Sequence, residues 1–293
     1  MRLGSLGVAC ALLVTAAVAG LFAYTRLGAD GPVEDGDGGV SLESVVKLVL
    51  AEAPRAQVGY VTADLEERTR VARAFAALAR QEPDAAQRAA AASGYTMLDI
   101  VSSGRAGWLL TEDGSRRHGR GLFAYARGNP IAVEVPHPIS DLHTADAGIA
   151  LFDSLQADSL LVAGTHRRAG LGSEADVAHE TASVFHAVHE AVVSPGEVIV
   201  QIHGFASEPD RRFEAVVSSG TRAPSPQARA VTAALLRAGI QTCQFGPRTS
   251  CDQLGGTNNV QGRSARATGA AFIHVELALS LRDTAPVRAR VAE

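Results

Sequence analysis

Apolar positions recur every three to four residues over Thr62–Gln81, where Leu65, Val71, Phe75 and Leu78 share one face and arginines and acids fill the others. That spacing predicts an amphipathic helix. Asp84–Ala92 is alanine-rich and runs to Gly94, a helix-stop signal. Ser41–Ala53 alternates only weakly and stops before Pro54. From residue 95 the texture changes. Tyr95–Val101, Trp108–Thr111, Leu122–Ala126 and Ile131–Val135 are short β-prone runs parted by glycine and charge. Helical and extended patterns then alternate. Helices are predicted over Ala145–Leu155, Asp176–Val192, Pro226–Ala238 and Leu277–Arg282. Strands are predicted over Leu160–Ala163, Val198–Ile202, Ala215–Val217 and Ala270–Val275. Such alternation implies an α/β fold, and the closely spaced β runs at 95–127 make the sheet mixed. The expected architecture is a mixed, largely parallel central sheet flanked by helices, without internal repeats.

The N-terminus follows a different rule. Arg2 precedes an uncharged run, Leu3–Thr25, closed by Arg26. About 20 apolar residues suffice to cross a bilayer, and a basic start before an apolar core is the pattern of a secretory signal. Ala17-Val18-Ala19 is a candidate cleavage site, and an uncleaved anchor is the alternative. Both readings export the rest of the chain; a buried core helix is the bland reading. The expected layout is a signal peptide or anchor at 1–26, a Gly- and Asp-rich linker at 27–40, and one α/β domain at 41–293. That domain has a helical N-terminal part, 41–94, and a core, 95–283.

Composition narrows the classes. The chain has 293 residues, 46% hydrophobic and 20% charged, which excludes a disordered tail and a disulfide-dense mini-protein. A net charge of -4 leaves no broad footprint for nucleic acid. Cys10 lies in the apolar run. Cys243 and Cys251 are an even pair, which in an exported chain suggests a disulfide; two free thiols are the alternative. No Cys-x-x-Cys is present, which argues against a thiolate zinc site.

Candidate chemistry collects where predicted strands end. Ile131–Val135 runs into Pro136-His137-Pro138-Ile139-Ser140-Asp141, Val198–Ile202 into His203-Gly204, and Ala270–Val275 into Glu276. Functional groups on open α/β sheets gather beyond the carboxyl ends of strands. Two histidines and a carboxylate are a catalytic zinc set with a position left for water, and a separate carboxylate is the proton acceptor such a site needs. Read singly, each residue has an ordinary alternative: a loop histidine, a turn aspartate, an ion-paired glutamate. A charge at Glu276, inside the apolar run Ala270–Leu277, is costly without a metal, hydrogen bonds or a partner.

This order of motifs resembles the zinc carboxypeptidase-like amidohydrolases, in particular the N-formylglutamate amidohydrolase and polyglutamate hydrolase branches. Val133-Glu134-Val135-Pro136-His137-Pro138 is similar to the Pro-His metal turn of that group, and Val275-Glu276-Leu277 to its closing Glu strand. The resemblance covers roughly residues 95–283. It implies Zn²⁺ on His137, Asp141 and His203, with Glu276 as general base toward water activated at the ion. It also implies an arginine, Arg167 or Arg168, at the oxyanion or at a substrate carboxylate. The implied reaction is hydrolysis of an amide or peptide-like bond in a small-molecule or peptide-like substrate. The first motif is His-x-x-x-Asp, not His-x-x-Glu. His166-Arg167 stands where Asn-Arg is expected, and no tyrosine follows Tyr125. These departures point away from a standard carboxypeptidase and toward a divergent amidase.

Two other features compete. His179, Ser183, His186 and Glu190 are spaced to share one helical face, as a polar surface or as a metal pair at His186 and Glu190. The Gly-rich stretch Gly255–Arg263 reads as a loop whose amides and Arg263 offer an anion-binding surface, or as a plain surface loop. The alternative to an enzyme is a non-catalytic envelope ligand-binding or sensor protein on the same scaffold.

Overall fold

The computed structural model describes residues 39–283 except 57–58, 115–116, 207–211 and 250. The apolar run 3–25, its cleavage site, Cys10 and nearly all of the 27–40 linker lie outside the described residues. Among those described, no helix is long and apolar enough to cross a membrane.

One ten-stranded sheet organises the described chain. Its strands are β1 (Val40–Ser41), β2 (Tyr95–Ser102), β3 (Arg105–Glu112), β4 (Leu122–Tyr125), β5 (Asn129–Val135), β6 (Ala157–Val162), β7 (Val198–Phe205), β8 (Ala215–Ser218), β9 (Thr242–Gln244) and β10 (Ala271–Ala278). Their spatial order is β1-β2-β3-β4-β6-β5-β7-β10-β8-β9. The centre, β6-β5-β7-β10, is parallel. β2, β3 and β4 pair antiparallel on one flank, and β8 pairs antiparallel with β10 on the other. The mixed, largely parallel sheet expected from the alternation is present.

The helices are α1 (Leu42–Ala51), α2 (Leu65–Ala79), α3 (Pro83–Ala91), α4 (Thr144–Ser154), α5 (Val184–Val192), α6 (Pro226–Arg237), α7 (Val260–Thr268) and the short α8 (Leu279–Arg282). They cover both faces. One face is apolar throughout: Val133, Val135, Val200, Ile202, Ile273 and Val275 pack against residues of α1, α4 and α6. The other face is divided. Its flank is an apolar core built with α2, α3 and α5, but its centre carries a polar stripe. Glu134 lies beside Gln201, Gln201 beside His274, and His203 beside Glu276. In-register neighbours in a parallel sheet share a face, and side chains alternate along each strand. These five polar residues therefore project to the same side.

The structure corrects several local expectations. The helix expected over Asp176–Val192 begins only at Val184. Ser183 caps it by accepting from the His186 N–H, and the preceding residues form turns. His179 and Ser183 therefore do not extend the His186–Glu190 face. Ser41–Ala53, within the part expected to be helical, is mostly helix: Ser41 caps α1, and Leu42 and Val46, one turn apart, are its buried contacts. β10 continues through Ala278 because β7 extends to Phe205 beside it, which leaves only Leu279–Arg282 helical. Part of the Gly255–Arg263 stretch is the start of α7: Asn259 accepts from the Gly262 N–H, and Gln261 and Ala265 are buried. Cys243 and Cys251 form a disulfide, joining β9 to the segment before α7.

Near the start of β7, Glu197 is buried with Oε1 lacking a hydrogen-bond partner. Burial first, then the charge of Asp158, push its carboxyl up to about 8. The folded state thus holds a proton that the unfolded chain releases near the ordinary carboxylate range. Stability should fall as pH rises from about 5 to about 8. Glu197→Gln keeps the neutral shape and is expected to flatten that decline, as measured by denaturant unfolding near pH 5.5 and near pH 8.5. An equally steep decline in the variant contradicts this assignment.

Candidate metal centre

Pro136 ends β5 and commits the chain to a turn. The Asp141 N–H donates to the His137 carbonyl at 2.8 Å, closing the turn at four residues and setting both side chains on one side. Thr144 Oγ1 donates to the Asp141 carbonyl at 2.7 Å and fixes its far end. The spacer in His-x-x-x-Asp is thus taken up by a hydrogen-bonded turn. His203 reaches the same place from within β7, not from a loop beyond it.

His137 Nδ1 lies 3.5 Å from Asp141 Oδ2, and His203 Nδ1 lies 3.7 Å from the same oxygen. The two imidazole rings are 4.9 Å apart. All three residues are buried, and each has one ligand atom within 4.8 Å of the others. The outer contacts set which atoms face inward. His137 Nε2 is 2.8 Å from Asp176 Oδ1, and His203 Nε2 is 2.8 Å from Gln201 Oε1. When Nε2 donates to its oxygen, a neutral ring turns its Nδ1 lone pair toward Asp141. His137 Nδ1 is buried without a hydrogen-bond partner. The Gly204 N–H donates to Asp141 Oδ2 at 3.1 Å and orients the carboxylate.

Electrostatics follow this geometry. Burial opposes charge on Asp141, yet His137 and His203 hold its carboxyl well below the usual range. Burial likewise opposes charge on His137, but Asp141 and Asp176 raise it overall. Burial and the neighbouring His137 push His203 down to about 4. Without an ion, the pocket draws a proton onto His137; a divalent cation competes for that place.

A second set overlaps the first. His203, His274 and Glu276 also bring ligand atoms within 4.8 Å of one another. His274 Nε2 is 3.9 Å from Glu276 Oε1, and its ring is 4.5 Å from that of His203. Burial pushes Glu276 up to about 8, with Asp141's charge adding to the effect and His137 and Arg167 opposing it. Gly256, at φ +59°, presses against the His274 ring; a Cβ there would lie 2.6 Å from Cδ2. His274 was missed by reading its segment as an apolar run. Its two-residue spacing from Glu276, which puts both on one face of a strand, was the available signal.

Arg282 ties the site-bearing segments together. Its guanidinium donates to the carbonyls of Leu142, Phe205 and Leu277, the last two at 3.0 Å. These follow closely on Asp141, His203 and Glu276. A Cβ on Gly204 would lie 2.3 Å from Arg282 Cζ, so the close approach requires glycine.

The remaining candidates are placed as follows. The Arg167 N–H donates to Ser140 Oγ, and its charge reaches Glu276. Arg168 is exposed beside His166, whose imidazole is pushed down by burial and then by the charges of Arg167 and Arg168. Arg263 is exposed on α7 and donates to the Asn258 carbonyl. Asp176 also contacts His179 Nδ1 at 3.1 Å, so His179 meets the cluster through the same carboxylate that holds His137. His186 and Glu190 approach to 3.5 Å.

The described chain is thus a mixed α/β protein with a buried histidine–carboxylate cluster at one end of its central strands. No family model and no curated protein matches the sequence. Among solved structures, a bacteriophage poly-gamma-glutamate hydrolase aligns over 57% of this chain and 74% of its own, at 14% identity and a TM-score of 0.38. A protein from Shewanella amazonensis, provisionally described as a metallopeptidase, aligns over 80% and 97% at 11% identity and a TM-score of 0.34. Both are low-identity likenesses.

Proposed function

We propose that this chain is a zinc-dependent hydrolase of an amide or peptide-like bond. The observation that carries the reading is the convergence of three acceptors, His137 Nδ1, Asp141 Oδ2 and His203 Nδ1, in a buried space. Lone pairs and a carboxylate facing one another at this range are reconciled by a cation. Two imidazoles and one carboxylate suit zinc, with a coordination position left open. When bound, the ion supplies Lewis-acid chemistry, lowering the pKa of water and polarising a carbonyl. Asp176 and Gln201 hold the two ligand rings in the required orientation.

Glu276 is the proposed general base. Near a dication its carboxyl ionises more readily. It then accepts a proton from water and returns it to the leaving amine. Arg167, whose charge reaches Glu276, is the group proposed to stabilise the oxyanion or to grip a substrate carboxylate. Arg168, exposed next in the chain, is the proposed substrate-binding arginine beside it. Arg263, exposed on α7, is a further proposed substrate-binding arginine. The proposed catalytic domain is 41–293, exported behind the segment 1–26 as signal or anchor and the linker 27–40.

A panel tests the reaction class. Zinc-loaded protein is incubated with N-acyl amino acids, α-linked peptides, γ-linked polyglutamate and cell-wall peptides, and newly released amine or carboxylate is measured. Release from one class is expected. No release from any of them contradicts the amide-hydrolase reading.

A further inference from the structure

Beneath His203 the contact with Gln201 continues into a buried hydrogen-bond chain, whose further members the proposed chemistry does not itself use. Gln201 and Glu134 are fully buried on the polar stripe. Gln201 Nε2 donates to Glu134 Oε2 at 2.8 Å, and His189 Nδ1 lies 2.6 Å from Glu134 Oε1. Gln201 Oε1 takes His203 Nε2 at 2.8 Å and Asn259 Nδ2 at 2.5 Å. Asn259 cannot turn its amide over without cost, because its Oδ1 caps α7 through the Gly262 N–H at 2.8 Å.

The amide of Gln201 is therefore fixed from both ends. Turning it over would set its oxygen against the Glu134 carboxylate and its NH₂ against the Asn259 NH₂. Both contacts would become repulsive in a dry interior, where unpaired polar groups are most costly. With Oε1 held toward His203, the imidazole must carry its proton on Nε2.

We propose that Glu134, Gln201 and Asn259 form a positioning relay that holds His203 in the Nε2–H tautomer and keeps Nδ1 free for a divalent cation. The link to a cation rests on the metal reading above; the tautomer does not. His189 completes the relay by filling the second oxygen of Glu134.

The test reads tautomer and affinity separately. Long-range ¹H–¹⁵N spectra of the metal-free full chain report which His203 nitrogen bears the proton, and zinc titration reports affinity. In the wild type, His203 should carry its proton on Nε2. Gln201→Met removes the acceptor and should mix the tautomers, with zinc affinity falling roughly 10–100-fold, as for loss of other outer partners of metal ligands. The exchange Glu134→Gln with Gln201→Glu restores a donor–acceptor pair and keeps an oxygen on His203. It should return the Nε2–H form and an affinity within a few-fold of wild type. A wild-type His203 protonated on Nδ1, or a Gln201→Met tautomer identical to wild type, overturns the proposal. If Gln201→Met does not fold, the wild-type and exchanged chains decide: Nε2–H in both supports the relay, and Nδ1–H in either overturns it. Failure of wild-type protein to bind zinc, with Nε2–H intact, contradicts the metal reading and leaves the relay standing.

Discussion

Glu276→Gln is expected to lower turnover of the responsive amide substrate by roughly 10²–10⁴-fold, the usual worth of a positioned general base. Zinc content should stay near the wild-type value. The separation follows from the geometry. Glu276 stands beside His203 and His274, whereas the three converging acceptors are His137, Asp141 and His203. Glutamine keeps the shape and the place in β10 but cannot take a proton. Steady-state kinetics beside elemental analysis of the same samples check it. Loss of zinc together with activity would instead make Glu276 a ligand, and unchanged turnover would remove it from the reaction.

The second large effect concerns Asp141. Its Oδ2 lies within 3.7 Å of both His137 Nδ1 and His203 Nδ1, the proposed ligands, and it is oriented by the Gly204 N–H. Asp141→Asn retains an oxygen for that N–H, so the turn at 137–141 should survive. The negative charge that attracts a cation is lost. Zinc affinity should fall by more than the roughly 10–100-fold expected for outer partners. Thermal unfolding gives an independent reading. A ligand present at about 100 times its Kd stabilises the native state by about 2.7 kcal/mol. Wild-type protein should lose such an increment when chelator is added, and Asp141→Asn should show almost none to lose. Equal chelator sensitivity in the two proteins contradicts the assignment of Asp141.

Much of the sheet was legible because its central strands are short apolar runs bounded by turn signals, and the helices between them keep a helical period. His203 and Glu276 stood out for the same reason: each interrupts an apolar strand near its end. The polar stripe was harder to see. Glu134, Gln201 and His274 alternate with valine and isoleucine, so a hydropathy reading absorbs them into the strands that carry them. Their meaning appears only when the parallel register places them side by side. The face expected from His179, Ser183, His186 and Glu190 failed for a local reason. Ser183 competes better as a cap than as a helix-interior residue, and Asp176 turns toward His137. α7 was hidden because Asn258, Asn259 and Gly262 read as loop chemistry, whereas Asn259 is a helix cap. Arg282 gave no sequence signal, since two of its three carbonyl partners, Leu142 and Phe205, come from distant segments.

The most direct measurement is elemental metal content of the purified chain, after zinc loading and removal of excess, beside His203→Ala. The account predicts close to one zinc per wild-type chain and almost none in the variant. Wild-type protein without zinc, or a variant that retains it in full, contradicts the metal centre.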